Sequence, residues 1–312
     1  MFSALPLCRG GADRVFFISP ICYSAVNKFS GVFMASANWV DLSKDKDSGI
    51  ETIHAHFEGH AYDPHWHDSY LVGVTQQGLQ QFSCRRQKHR SLPGKVFMLE
   101  PGEIHDGDAV QPGGFTYHML YLDPQWLSRE LTARRDSLSS AGDPSFEKTL
   151  AHDPRLAQAT SLAFQALHGK ELRIVRQTAL DGLLSALGGH LTWQPPQPQQ
   201  FSPWSRIAHR AREYLHAHLH EDMGLEQLAA ATGENRFVVS RAFKAEFGLP
   251  PHAYFIQLKL TCARDGLASG RTPAAVAADL GFADQSHLGR WFRRAYQLTP
   301  ANYRRLCTNL PD

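Results

Sequence analysis

Three histidines in this chain have the type and spacing to hold a ligand. His65 and His67 stand two apart in "PHWHDSY", and His105 follows the turn "PGEIH". On an extended strand, residues two apart share a face, so His65 and His67 project together. Three converging imidazoles suit a divalent transition metal. The competing reading is that these rings line a small-molecule pocket or hydrogen-bond inside a core. Eight of the 17 histidines fall between residues 54 and 118, so the concentration is real. His216 and His220, one helical turn apart in "LHAHLH", also have a chelating spacing. Late in a helix, however, histidine serves the terminal carbonyls and the dipole, and the pair reads as structural.

A second chemistry is carried by arginine, lysine and glutamine on two helical segments. Over 235–247, Val239, Ala242, Phe243 and Phe247 fall on one face, and Arg236, Phe237, Ser240, Arg241 and Lys244 on the other. Over 284–296 the apolar face is Leu288, Trp291, Phe292, Ala295 and Tyr296. Opposite it lie Gln285, Ser286, Gly289, Arg290 and Arg293, with Arg294 at the edge. Planar donors beside small residues suit a helix in the DNA major groove, where Arg reads guanine and Gln reads adenine. One such face alone would read as a solvated basic surface.

The two segments are copies. Ala229 and Gly233 match Ala277 and Gly281 at an offset of 48. Arg241, Phe243, Lys244, Phe247, Pro251 and Tyr254 match Arg290, Phe292, Arg293, Tyr296, Pro300 and Tyr303 at an offset of 49. Each unit reads as a short helix (225–232, 273–280), a glycine at the left-handed cap position, and a second helix capped by Asn235 or Asp284. That is the pattern of a helix-turn-helix. The stretch 251–269 reads as a linking helix about 28 Å long, comparable with one turn of DNA. Two units in register favour groove reading over solvation.

The elements before the repeat change character along the chain. "YLVGV", "VFML" and "FTYHMLYL", separated by Gly- and Pro-bearing turns, predict an antiparallel barrel or sandwich over about 50–122. In the last strand Phe115, Tyr117, Met119 and Tyr121 share one face, and Thr116, His118, Leu120 and Leu122 the other. Residues 124–193 show the three-and-four spacing of amphipathic helices, and "WQPPQPQQFSPW" reads as a semi-rigid linker.

Residues 204–305 resemble the DNA-binding domain of the AraC/XylS family of bacterial transcription regulators. The resemblance rests on "LAAATG", "SRAFKAEFGLPPHAY" and "AADLGFADQSHLGRWFRRAYQLTPANYR". It implies a seven-helix domain, with base contacts from Phe237, Val238, Ser240 and Arg241 in the first unit. In the second unit the implied contacts are Gln285, Ser286, His287, Gly289 and Arg290. It also implies transcriptional activation, RNA polymerase as a partner, and a homodimer formed through helices of 124–193. Lys259, where the family commonly has Arg, and Gly266 within the linking helix depart from the pattern.

"HAYDPHWHDSY" and "LPGKVFMLEPGEIHDGD" resemble the two motifs of a cupin barrel. Enzymatic cupins usually add a glutamate just after the second histidine, where this chain has Tyr70 and Leu71. No cofactor is therefore assigned; His65, His67 and His105 remain the residues for a metal if one binds. The effector-lining candidates are His65, His67, Tyr70, His105, Tyr117 and Met119.

Bulk properties agree with this. Residues 204–312 hold 14 Lys/Arg against 10 Asp/Glu, and residues 1–203 hold 18 against 20, so the basic side lies at the DNA-facing end. Five scattered cysteines without C-x-x-C spacing argue against a disulfide framework and suit a reducing cytosol. No apolar run reaches membrane-spanning length. "VFFISPICYSAV" followed by "MASA" imitates a secretory leader; the preferred reading is an upstream extension with Met34 as the working start.

The expectation is an α+β protein with five regions: an extension at 1–33, a cupin-like antiparallel barrel at 34–123, a helical dimerisation region at 124–193, a linker at 194–203, and an all-α double helix-turn-helix domain at 204–306. Its function is that of a cytoplasmic, effector-responsive regulator that binds double-stranded DNA. The rivals are a metal-dependent cupin enzyme with an accessory DNA-binding domain, and an effector-independent regulator.

Overall fold

The computed structural model describes residues 38–134, 143–194 and 202–308. The 1–33 extension, with its leader-like stretch, and the centre of the linker lie outside these residues. Short alternating runs give β1 (Trp39–Lys44), β2 (Glu51–Phe57), β3 (His60–His65), β4 (Tyr70–Gly78), β5 (Gln80–Cys84), β6 (Gln87–Ser91), β7 (Val96–Leu99), β8 (His105–Ala109) and β9 (Phe115–Leu122). Then come α1 (Pro124–Ala133), β10 (Asp143–Phe146), β11 (Leu150–Ala151), α2 (Pro154–His168), α3 (Arg173–Leu187) and β12 (Leu191–Gln194). The region expected to be purely helical thus also contributes three short strands.

The strands form a six-stranded sheet, β1-β2-β9-β4-β7-β11, a four-stranded sheet, β3-β8-β5-β6, and the pair β10-β12. Among the described residues no ladder joins the two larger sheets, so the expected barrel is an open two-sheet sandwich. The alternation read from β9 holds. Phe115, Tyr117, Met119 and Tyr121 join the interior between the sheets, with Phe57, Leu71, Phe82 and Phe97. Leu120 and Leu122 join a second core, where Val72, Met98 and Phe164 pack beneath α1, α2 and α3. A one-residue change of phase would exchange the two sets.

The C-terminal part is α4 (Pro203–Ala217), α5 (Leu225–Thr232), α6 (Arg236–Phe247), α7 (Pro251–Ala268), α8 (Pro273–Asp279), α9 (Gln285–Tyr296) and α10 (Pro300–Thr308). These are the seven helices that the resemblance implied. Their ends follow the cap chemistry of the sequence. Asn235 accepts from the backbone N–H groups of Phe237 and Val238, Asp284 from that of His287, and Thr272, ahead of Pro273, from that of Ala275. Gly233 (φ +74°) ends α5 in the left-handed region, and Gly281 (φ +67°) follows α8 in the same conformation.

The two helix-turn-helix units relate differently to the sandwich. The first has its own core, in which Leu228, Val239, Phe243 and Phe255 are buried together. The second has none apart from the sandwich: Leu260, Leu267, Leu288, Phe292 and Tyr303 are continuous with the inter-sheet interior. Two departures from the family pattern find reasons here. Lys259 is buried and donates to the carbonyl of Glu221 at 2.9 Å. Gly266 lets α7 approach α8, since a Cβ there would meet Val276 Cγ2 at 3.1 Å.

Candidate DNA-reading helices and interdomain cavity

In α6, Arg236, Phe237, Arg241 and Lys244 are exposed, while Val238 and Ser240 are half-buried. Phe237 is 66 % exposed, a large apolar ring kept in water beside the Arg236 guanidinium, 5.0 Å from its centroid. Arg241 lies over the Trp204 ring of α4 at 5.9 Å. In α9, Gln285, Ser286, Arg290 and Arg293 are exposed, and Gly289 opens the surface between them. A concave surface is lined by Gln285, Ser286, Gly289, Arg290 and Arg293 with Thr272 and Arg304. Arg304 is a residue that the helix-face argument alone does not reach. His287 is placed otherwise: half-buried, its Nε2 accepts from Trp291 Nε1 at 3.0 Å, which ties the ring to its own helix.

The histidines of the sandwich converge. His65 and His105 face each other as register partners of β3 and β8, and His67 lies two residues beyond His65. All three are buried, and their nearest ligand-capable nitrogens lie within 4.8 Å of one another. His65 Nδ1 pairs with the carbonyl of Asp63 at 2.8 Å, and His105 Nδ1 with that of Glu103 at 3.0 Å. Those bonds place the proton on Nδ1 of each ring. Burial pushes the His65 imidazole down to about 3 and the His105 imidazole down to about 4, so both are neutral at ordinary pH.

These rings line a cavity of about 50 Å³ together with Tyr117 and Met119. Tyr70 does not line it. It is one residue out of phase with Leu71, points into the core beneath the helices, and donates to the carbonyl of Pro144 at 2.6 Å. The other wall belongs to the C-terminal helices and the turn between the last two: Arg264 of α7, Tyr296 of α9, Gln297 and Leu298, and Tyr303 of α10. The sandwich adds Tyr62 and Tyr121.

The junction is polar as well as apolar. Arg264 Nη2 donates to Glu51 Oε2 at 2.7 Å, and Tyr303 Oη donates to Glu51 Oε1 at 2.9 Å. Lys44 Nζ reaches Glu51 Oε1 at 3.1 Å. Burial alone would raise the Glu51 carboxyl, but Arg264, Lys44 and the Tyr303 hydroxyl outweigh it and hold the carboxyl below its ordinary range. Around the Arg264 guanidinium stand the rings of Tyr121, Tyr296 and Tyr303, at 5.2, 5.3 and 5.6 Å. Arg294 of α9 bonds Asp63 of β3, and Gln297 Nε2 donates to the Ala61 carbonyl at 2.9 Å. Helix α9 is therefore tied to the edge strand of the smaller sheet, next to the histidines. At the first unit, Arg86 of the sandwich donates to the Ala245 carbonyl near the end of α6 at 3.1 Å. His216 and His220 go to separate partners, the Tyr254 hydroxyl and the Asp279 carbonyl.

The comparisons with known proteins decide the family. Residues 47–187 match the model of the AraC-like ligand binding domain, and residues 228–306 that of a helix-turn-helix domain. The MmsAB operon regulatory protein of Pseudomonas aeruginosa is 32 % identical over 251 residues, covering 76 % of both chains. The chain belongs to the AraC family of transcription regulators. An uncharacterised helix-turn-helix transcriptional regulator of Bacillus subtilis, YbfI, is 24 % identical over 231 residues, covering 72 % of this chain and 80 % of its own. The crystal structure of ToxT from Vibrio cholerae superposes with a TM-score of 0.50 at 9 % identity, covering 85 % of this chain and all of that one; it shares the two-part fold. These relatives are regulators rather than enzymes, so the enzyme reading is set aside. No helix among the described residues is long and apolar enough to cross a membrane.

Proposed function

We propose that this AraC-family regulator reads DNA through α6 and α9 and senses a small effector in the cavity between its sandwich and its second helix-turn-helix. The observation that carries the sensing half is the position of Arg264. It belongs to the helix that sets the spacing of the two recognition helices, and its guanidinium forms part of the wall of the histidine-lined cavity. An occupant that moves that wall moves α9 relative to α6, and groove reading depends on their spacing. The base-facing set is Phe237, Val238, Ser240 and Arg241, with Gln285, Ser286, Gly289 and Arg290. Arg236, Lys244 and Arg293 serve the phosphates. His287 acts by holding Trp291 rather than by reading a base.

The active form is a cytoplasmic homodimer that activates transcription with RNA polymerase. The exposed Leu162 on α2 and Ile174 and Val175 on α3 offer an apolar surface for that pairing. The test is genome-wide binding of the full-length protein beside its Arg290→Ala form. Sharp sites lost in the variant are the expected result, and genes adjoining them narrow the effector to a pathway. An Arg290→Ala protein with the same sites and affinity overturns the assignment of α9 as a reader.

A further inference from the structure

We propose that the open cleft between the β5–β6 hairpin and the first helix-turn-helix is a second ligand site. It takes a small organic anion, whose carboxylate or phosphate sits between Arg86 and Arg212 and whose apolar body lies against Trp66 and Tyr254. The site goes beyond the effector reading and does not depend on it. Of the residues lining the cleft, only His105 also lines the closed cavity.

Size separates the two spaces. The closed cavity, about 50 Å³, would have to open to admit more than a few water molecules. The cleft already measures about 550 Å³, within the range of small-molecule sites. Its walls come from two parts of the chain. Trp66, Arg86 and Ile104 belong to the sandwich, and Arg212, Phe247 and Tyr254 to α4, α6 and α7. The two parts touch at one end: a Cβ added at Gly248, just past α6, would meet Ile104 Cδ1 at 3.2 Å.

The hairpin presents its arginines at a conformational cost. Cys84 pairs with Gln87, so Arg85 and Arg86 make the whole turn, and both have positive φ, +50° and +62°. A two-residue turn of this kind favours Asn-Gly, and larger side chains are disfavoured there. Arg85 has a structural reason for its place, since its guanidinium bonds Glu103 and, at 2.7 Å, Glu100. Arg86 has little of one. It is exposed, and its one hydrogen bond among the described residues runs from Nη2 to the Ala245 carbonyl at 3.1 Å. Backbone strain without a matching structural gain points to function.

Charge selects the ligand. Three arginines and three carboxylates line the cleft, but the carboxylates are matched within the protein. Glu103 has the Arg85 guanidinium, and Asp106 accepts from the Ser83 N–H at 2.5 Å. Glu246 accepts from the Ser205 hydroxyl at 2.7 Å and lies 3.2 Å from His209 Nε2. Among the described residues Arg86 and Arg212 have no carboxylate partner. Arg212 rests over the Phe247 ring at 5.2 Å and makes no hydrogen bond there, so its N–H edge is unused. A guanidinium edge matches a carboxylate or a phosphate in geometry and charge. Next to it, the rings of Trp66 and Tyr254 stand 6.0 Å apart, and those of Tyr254 and Phe247 5.8 Å. That wall suits an apolar or planar body.

The experiment is calorimetric titration of the full-length protein with phenyl phosphate and with phenylacetate. Inorganic phosphate and benzyl alcohol serve as the separate halves. Saturable binding of one equivalent of an aromatic anion is expected, and the tighter of the two tells a phosphate ester from a carboxylate. Each half alone should bind at least about tenfold more weakly. Arg86→Gln and Arg212→Gln should each weaken the aromatic anion about tenfold or more, while Arg129→Gln, at an exposed arginine, should leave it unchanged. Should the cleft variants fail to fold, a crystal structure of the wild type with phenyl phosphate is expected to place its oxygens on Arg86 and Arg212. No saturable binding of either aromatic anion by folded wild-type protein overturns the site, as does an anion bound elsewhere. Binding that persists in both folded cleft variants but is lost in Arg290→Gln belongs to the DNA-facing surface and overturns it too. Equal affinity for benzyl alcohol overturns the anionic half.

Discussion

Arg264 and Glu51, 213 residues apart in sequence, meet at 2.7 Å across the junction between the DNA-binding helices and the sandwich. Their side chains are 11 % and 7 % exposed, so the pair is shielded from water. In that setting a salt bridge contributes little net stability over an apolar pair, but removing one partner strands the other charge. The pair is therefore expected to act chiefly as a registry device that specifies which face of α7 rests against the sandwich.

Glu51→Ala is expected to destabilise the full-length protein by about 3–5 kcal/mol. The double variant Glu51→Leu, Arg264→Leu should recover most of that loss. Denaturant unfolding of the two single variants and the double variant completes the cycle. A Glu51→Ala protein as stable as wild type would show that the Arg264–Glu51 pair does not hold the junction.

The acid response follows from the same carboxyl. Glu51 is held below its ordinary value of 4.5 in the folded protein, so the unfolded or undocked chain binds the proton more readily. The stabilisation is fully present above pH 4.5 and is lost as pH falls through the lowered folded value. Asp63, held down by Arg294 and His60, adds to the loss in the same acid range. Hydrogen exchange at β2 and α7 below pH 4.5 should report the loosening, and Glu51→Gln should remove the part due to Glu51. Equal acid sensitivity in Glu51→Gln and wild type would exclude this carboxyl as the cause.

For DNA, the exposed arginines separate into two classes. Arg290→Ala and Arg241→Ala are expected to cost about 1–3 kcal/mol of specific binding and to relax one base preference each. Arg293→Ala, at the rim of the concave surface on α9, should weaken all sequences alike and reduce the salt slope by about one. Binding to a randomised operator library at several salt concentrations distinguishes them. A base-specific effect from Arg293, or none from Arg290, would reverse the assignment.

The DNA-reading half was legible because its signals are local and repeated. Caps, turn glycines and two-faced helices recur 48–49 residues apart, and each copy checks the other. The face alternation of β9 was legible because it too is local: residues two apart on a strand share a face. Tyr70 was misplaced because a strand's phase is ambiguous where "SY" enters it from a turn, and one residue decides which core a side chain joins. The roof of the cavity, Arg264, Tyr296 and Tyr303, left no local signal, since docking brings α7, α9 and α10 to strands some 200 positions earlier. One departure within the repeat did point there. Gly248 caps α6 at φ +75°, and its counterpart at the offset of 49 is Gln297, at φ +57°. A side chain in the left-handed region is disfavoured; here its amide is needed for the Ala61 carbonyl of the edge strand.

The matched turn glycines give the sharpest test of how differently the two units are built in. Both lie in the left-handed region, where a side chain costs roughly 1–2 kcal/mol. At Gly233 an added Cβ meets nothing within 4 Å. At Gly281 it meets the His220 carbonyl oxygen at 2.9 Å and Lys259 Nζ at 3.3 Å. The oxygen belongs to the backbone, and Lys259 is already committed to the Glu221 carbonyl, so neither retreats freely. Gly233→Ala should therefore lose about the conformational cost alone, and Gly281→Ala distinctly more, as measured by thermal unfolding of the full-length chain. Because the core of the second unit is continuous with the sandwich interior, Gly281→Ala should also loosen the cavity wall and lower protection at Tyr303, an effect that Gly233→Ala should lack. Equal losses from the two substitutions would mean that the second turn has the same freedom as the first, which the close approach of α4's trailing residues to Gly281 argues against.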